Sequence, residues 1–279
     1  MTKTAIITGA NKGIGLAVAK RLIQHDYRVV LACRNTEKGL MAEKYLGPSS
    51  KFLELDLSDP ESIQFFVQKI KSDYSNLDIL YNNAGLIYRD FELTTEGYES
   101  MMSVNYFGSY RLSLMLLDNL INTSGKIVQI SSLSMYLARK LVLDDLHIQN
   151  SFSPSSRYNL TNLYRSMFAL ELGNRLVDVP VSVSVAHPGV TKSRQSRPHD
   201  VKRIKKSFYT YFSTNIQTGI APILKAIEET DVSPHHVYAP RIFGFYGKPS
   251  TMKHNKIVYN KEFRNSLWSY TAKELNLDL

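Results

Sequence analysis

Cysteine is almost absent from this chain: Cys33 stands alone among 279 residues. A single thiol excludes an internal disulfide, so the fold has to be held by its core, and a reducing, cytoplasmic setting is the expectation. Long apolar runs are missing too, and none reaches the roughly 20 residues that a membrane span needs. Met1-Thr2-Lys3 leads straight into a strand pattern without the apolar stretch of a cleavable signal. There are no internal repeats and no low-complexity tracts, and no metal is expected. The net charge of +9 points to anionic partners. Its basic residues are spread along the chain with no nucleic-acid motif beside them, so nucleic acid is not expected. A phosphorylated small molecule or a generally basic surface remains. With 43% hydrophobic and 21% charged residues, the composition is that of a globular α/β chain forming one domain over 1–279.

The informative stretch is Thr4 to Gly15, TAIITGANKGIG. Its apolar, β-branched start predicts a first strand at the centre of a parallel sheet. Gly9, Gly13 and Gly15 follow, and apolar residues at helical spacing then run from Ile14 to Ile23. A strand, a glycine turn and a helix N-terminus make an anion site. Gly9 permits the turn, Gly13 lets backbone approach a diphosphate, and Gly15 lets helix and strand pack. Tyr27 to Cys33 reads as a second strand, and no acid follows it to accept bonds from an adenosine ribose. Arg34 stands there instead, suited to a 2′-phosphate with help from Lys12; the alternative is two solvated surface cations. Lys51–Leu55 and Leu77–Tyr81 read as strands three and four, the latter ending in Asn82-Asn83-Ala84-Gly85. A long apolar helix over 101–120 contains Asn105. Gly125–Ser132 is a fifth strand, Tyr158 opens a helix to about Leu176, and Val181–Ala186 is a sixth strand. A long helix follows over 214–228, then a final short strand at Tyr238-Ala239-Pro240, a turn at 244–249 and a terminal helix whose Trp268 packs.

The spacing T-G-x-x-x-G-x-G, with NNAG after the fourth strand, resembles the short-chain dehydrogenase/reductase family. The long interval between Ser132 and Tyr158 and the closing LWSYTAKELNL are similar to its retinol-dehydrogenase-like and protochlorophyllide-reductase-like branch. The resemblance implies a Rossmann-like doubly wound parallel sheet with helices on both faces, and NADP(H) in preference to NAD(H). It implies that Thr8, Gly9, Asn11, Lys12, Gly13, Ile14 and Gly15 hold the dinucleotide. Arg34 would read the 2′-phosphate, and Asp56 the adenine amino group beside Leu57. Asn83, Ala84 and Gly85 would leave room for the cofactor, with Pro188, Gly189 and Thr191 near the nicotinamide. Tyr158 and Asn162 would also border it. The bland readings of Asp56 as a helix cap and Asn105 as a core amide stay open beside these. Family members commonly pair as dimers or tetramers through helices matching about 104–121 and 158–176.

Hydride transfer to or from a carbonyl needs a proton partner and a donor for the oxygen. Tyr158 is the candidate acid or base and Ser132 the orienting donor, and the resemblance makes Asn105, at a local disturbance of its helix, the support of a relay water. A free tyrosine ionises near pH 10, too high for a good base. The family supplies a lysine one helical turn later, and that position is Asn162 here. Three readings follow: a reductase of a partly hydrophobic aldehyde or ketone with Tyr158 as proton donor, an NADP(H)-binding sensor or interaction module without turnover, or another reaction on the same scaffold. Residues 86–95 form a substrate rim, and about 190–215 a lid. The lid carries the basic cluster Arg197, Lys202, Arg203, Lys205 and Lys206, where a solvated face, an anionic ligand or a peripheral membrane contact are alternatives. About 241–279 form a C-terminal extension.

Overall fold

The computed structural model describes residues 2–74, 76–88, 90–139, 141–143, 152–191 and 215–279. Eight strands form one sheet: β1 Thr4–Thr8, β2 Arg28–Cys33, β3 Ser50–Glu54, β4 Ile79–Asn82, β5 Lys126–Ile130, β6 Ser182–Ala186, β7 His236–Ile242 and β8 Tyr246–Lys253. Their order is β3-β2-β1-β4-β5-β6-β7-β8, parallel through β7, with β8 antiparallel at the edge. The order reverses at β1 and β4, and such a switch point opens a crevice at the strands' carboxyl ends.

Alternation along the strands divides the core. Ile6, Val30, Leu80 and Ile127 face one layer, built on α3 (Pro60–Asp73) and on α7 (Pro154–Arg175). Ala5, Ile7, Leu31, Tyr81 and Val128 face the other, built on α1 (Gly13–Ile23) and a helix over Ala221–Glu228. Local chemistry starts these helices. Asn35 accepts from Lys38 N at 2.8 Å to cap α2 (Thr36–Leu46). Asp59, followed by Pro60, caps α3.

The long helix expected over 101–120 is instead segmented: α4 Ser100–Met102, a π-helical stretch Ser103–Phe107, α5 Gly108–Met115 and α6 Leu117–Ile121. The helix expected over 214–228 breaks at Ile220, just before Pro222, into Ile216–Gly219 and Ala221–Glu228. The turn expected at 244–249 is shorter. Phe243 and Gly244, both at positive φ, make it, and Tyr246 to Pro249 then return as the missed strand β8. The last helix, Lys261–Leu275, lays Trp268 on Phe168 and Tyr110, and its Arg264 pairs with Glu171 at 3.1 Å. These contacts cover parts of the two helices expected to pair across an oligomer. Among the described residues no helix is long and apolar enough to cross a membrane.

Candidate active site

The first βα turn and the loop after β4 are stitched together. Thr8 Oγ1 accepts from the amides of Asn83 at 3.0 Å and Ala84 at 2.8 Å. Asn83 Nδ2 returns a bond to Thr8 O at 2.8 Å. A Cβ on Gly15 would lie 2.6 Å from Asn83 Nδ2 and 2.7 Å from Gly9 O, so only glycine fits between these loops. Gly13 differs: its φ is +59° and nothing lies within 4 Å of a Cβ placed on it, so its outer side is open. Lys12, exposed and extended, sits at the N-cap of α1 without capping it through its side chain. The amides of such a first turn lack intrahelical partners; Asn11 beside them is half-buried, and Ile14 leans on the core.

At the end of β2, Arg34 is not free. It lies 3.6 Å from Asp56 at the end of β3, and the Tyr88 hydroxyl and that carboxylate hold its guanidinium charged above the ordinary arginine range. Asp56 also accepts from Ser58 N at 2.9 Å, and Leu57 carries its main chain onto Gly108 of α5. Neither Tyr88 nor this pairing was expected; no periodic pattern marks a loop tyrosine.

Asn105 is fully buried inside the π-helical stretch. Its Oδ1 accepts from Leu86 N at 2.8 Å, and Nδ2 donates to Leu86 O at 3.0 Å and to Thr161 Oγ1 at 3.2 Å. The extra residue in the turn disturbs the ladder, and the Asn105 main-chain carbonyl accepts from Arg165 Nε. Ser131 turns into the core, 2.9 Å from Ser166 Oγ and 3.2 Å from Asn162 O. Ser132, half-buried, caps the short 3-10 helix Leu133–Leu137.

Tyr158 lies half-buried near the start of α7. Asn162 is buried and turns back along the helix, its Nδ2 donating to Tyr158 O at 2.8 Å. Arg157 pairs with buried Glu99 at 3.6 Å, away from this cluster. Arg165 is buried and donates Nε to Asn105 O and Nη2 to Ala84 O. Burial pushes its guanidinium down to about 10, with the oxygens of Tyr158 and Tyr81 acting in the opposite sense.

His187, Pro188 and Gly189 close β6, with Gly189 at φ +75°, and Thr191 is buried against Gly219. The basic cluster and most of the expected lid lie outside the described residues. Among the described residues no three metal-ligating side chains gather.

The short chain dehydrogenase family pattern matches residues 3–141. The chain is similar to retinol dehydrogenase 12 of Mus musculus, 31% identical over 99% of this chain and 87% of that protein. A crystal structure of an uncharacterised protein from Mycobacterium paratuberculosis superposes with a TM-score of 0.82 at 26% identity, over 99% of this chain and 94% of the other. A short-chain dehydrogenase from Sphingobium yanoikuyae, solved in complex with NADPH, shares the fold with a TM-score of 0.64 at 20% identity, over 83% and 86%.

Proposed function

The chain belongs to the short-chain dehydrogenase family, and we propose that it is an NADP(H)-dependent reductase of a partly hydrophobic aldehyde or ketone. The observation that carries this reading is the cradle at the first βα turn. A Cβ at Gly15 is sterically excluded while the face over Gly13 is open, at a helix start that no side chain caps. Those features fit a dinucleotide diphosphate. Thr8, Gly9, Asn11, Lys12, Gly13, Ile14 and Gly15 would hold it, with Asp56 and Leu57 beside the adenine and Arg34 with Lys12 at a 2′-phosphate. Asn83, Ala84 and Gly85 would flank the ribose, and Pro188, Gly189 and Thr191 the nicotinamide. The Sphingobium structure's NADPH supports the same choice.

The cofactor, when bound, supplies the hydride. Ser132 donates a hydrogen bond to the substrate carbonyl and polarises it. Tyr158 gives its phenolic proton to that oxygen as it becomes an alcohol. Reduction suits this pair, because a phenol donates without first losing a proton. An edge-on contact of Phe91 with Phe152, rings 5.5 Å apart, supports an apolar rim beside it. A second reading, an NADP(H)-binding sensor or interaction module, is favoured by one observation: Asn162 is neutral and its amide is spent on the Tyr158 carbonyl.

Titration with NADPH followed by nicotinamide fluorescence, with NADH in parallel, tests the cofactor. Saturable and tighter NADPH binding is expected. A panel of aldehydes and ketones then separates the two readings. Turnover that Tyr158→Phe removes, without loss of NADPH binding, supports the reductase; binding with no turnover of any carbonyl supports the sensor.

A further inference from the structure

Arg165 is a cation in an unusual place. It is buried, and among the described residues no carboxylate pairs with it; it donates to the main-chain carbonyls of Asn105 and Ala84. Leaving a charge buried without a counter-charge is costly. Arg165 stands seven residues after Tyr158 on α7, two turns along the same face. Its guanidinium touches Gly85, where an added Cβ would lie 3.0 Å from Nη1 and 3.1 Å from Nη2. The Tyr158 oxygen favours the charged form of the guanidinium, against the larger effect of burial.

We propose that Arg165 is the positioning residue that supplies the positive charge for Tyr158, a role that the family resemblance gives to a lysine at position 162. The inference rests on the reductase reading for its use in turnover, but not for its electrostatics. As the Tyr158 O–H bond breaks and the proton passes to the substrate oxygen, negative charge is left on Oη. Arg165 keeps all its protons and stabilises that charge through the buried site. Arg165 also donates directly to the main-chain carbonyl of Asn105, the residue that the resemblance makes the support of a relay water. The fork of a guanidinium explains how one residue reaches both carbonyls.

Two measurements test this. The first needs no substrate: tetranitromethane nitrates the phenolate form of tyrosine, and peptide mass spectrometry reads nitration at Tyr158 alone. Arg165→Met is expected to slow that nitration roughly tenfold, the effect of removing an adjacent opposite charge. Arg165→Lys, and the double variant Arg165→Met with Asn162→Lys, are expected to restore most of it. Unchanged nitration in folded Arg165→Met, or none restored by either returned cation, overturns the proposal. If Arg165→Met does not fold, the Arg165→Lys comparison still decides: a lysine unable to reach both carbonyls but retaining nitration shows that charge, not shape, acts. The second measurement is turnover, where Arg165→Met should lower kcat roughly 100-fold with little change in KM or NADPH binding. No turnover in the wild type sinks the reductase reading alone, since the nitration result is independent of it.

Discussion

Around Gly9, Gly13 and Gly15 the site is made of main chain and of one hydroxyl, Thr8, that holds two amides of the next loop. Around Tyr158 it is made of side chains: Asn105, Thr161, Asn162 and Arg165 meet within two turns of α7. The difference governs what each half tolerates. A main-chain cradle needs a given backbone path, so its glycines are tied to their positions. A charge needs only to arrive, and any long side chain within reach can deliver it. The glycine half therefore keeps a spacing that resembles the family's, while the proposed catalytic half carries Asn162 where the resemblance implies a lysine.

Acid should strike the β6–β8 end of the sheet before the β1–β4 end that carries the glycine cradle. His187, at the end of β6, and His254, after β8, are both held by burial at about 4, well below the ordinary histidine value of 6.5. The unfolded chain takes up protons between those values while the folded chain does not, so stability falls as pH drops from about 6.5 through about 4. Each histidine can cost about 3 kcal/mol by the end of that window. Urea unfolding at neutral and acid pH should show the loss, and His254→Gln, which can still donate to Pro234 O, should remove part of it. Hydrogen exchange should place the early opening in residues 182–279. Opening that begins instead in residues 4–82 breaks the comparison.

Gly15→Ala tests the main-chain half. Its Cβ would meet Asn83 Nδ2 and Gly9 O at under 3 Å, and overpacking of this kind costs about 1–3 kcal/mol. Displacing the turn should weaken NADPH by roughly tenfold or more, about 1.4 kcal/mol per decade. Thermal melts and the fluorescence titration read the two effects separately. A Gly15→Ala protein with full stability and full NADPH affinity would show the cradle to be looser than its contacts.

How much of this could be read from the chain alone follows the same division. The strand–glycine–helix order, the parallel sheet and the place of NNAG were legible, because β-branched runs and glycines record backbone path directly. Strand β8 was not: Gly247, Lys248 and Pro249 read as turn residues, and only pairing with β7 makes them a strand. The segmentation at Ser103–Phe107 is hidden because all five residues, Ser103 and Asn105 included, are buried, so no amphipathic stripe marks the break. The place of Arg165 was half visible. Its spacing from Tyr158 puts it on the right face, but the sequence does not say that a guanidinium bends onto Asn105 O.

Arg34 gives the smallest and most selective effect. Its side chain is largely exposed and its partner is Asp56 at 3.6 Å, an ion pair worth about 0–1 kcal/mol in water. A phosphate carries more charge than a carboxylate and accepts in the paired geometry that a guanidinium prefers, so NADPH should draw Arg34 from Asp56. Arg34→Ala should then weaken NADPH roughly tenfold and leave NADH unchanged, the discount from a buried pair reflecting solvent. Asp56→Asn separates two uses of one side chain. If Asp56 mainly competes for Arg34, the substitution tightens NADPH a few-fold and does nothing to NADH. If Asp56 accepts from the adenine amino group, both nucleotides weaken alike, because adenine is common to them. Raised salt should erase the Arg34 effect before the Asp56 one, since only the first is a contest between exposed charges.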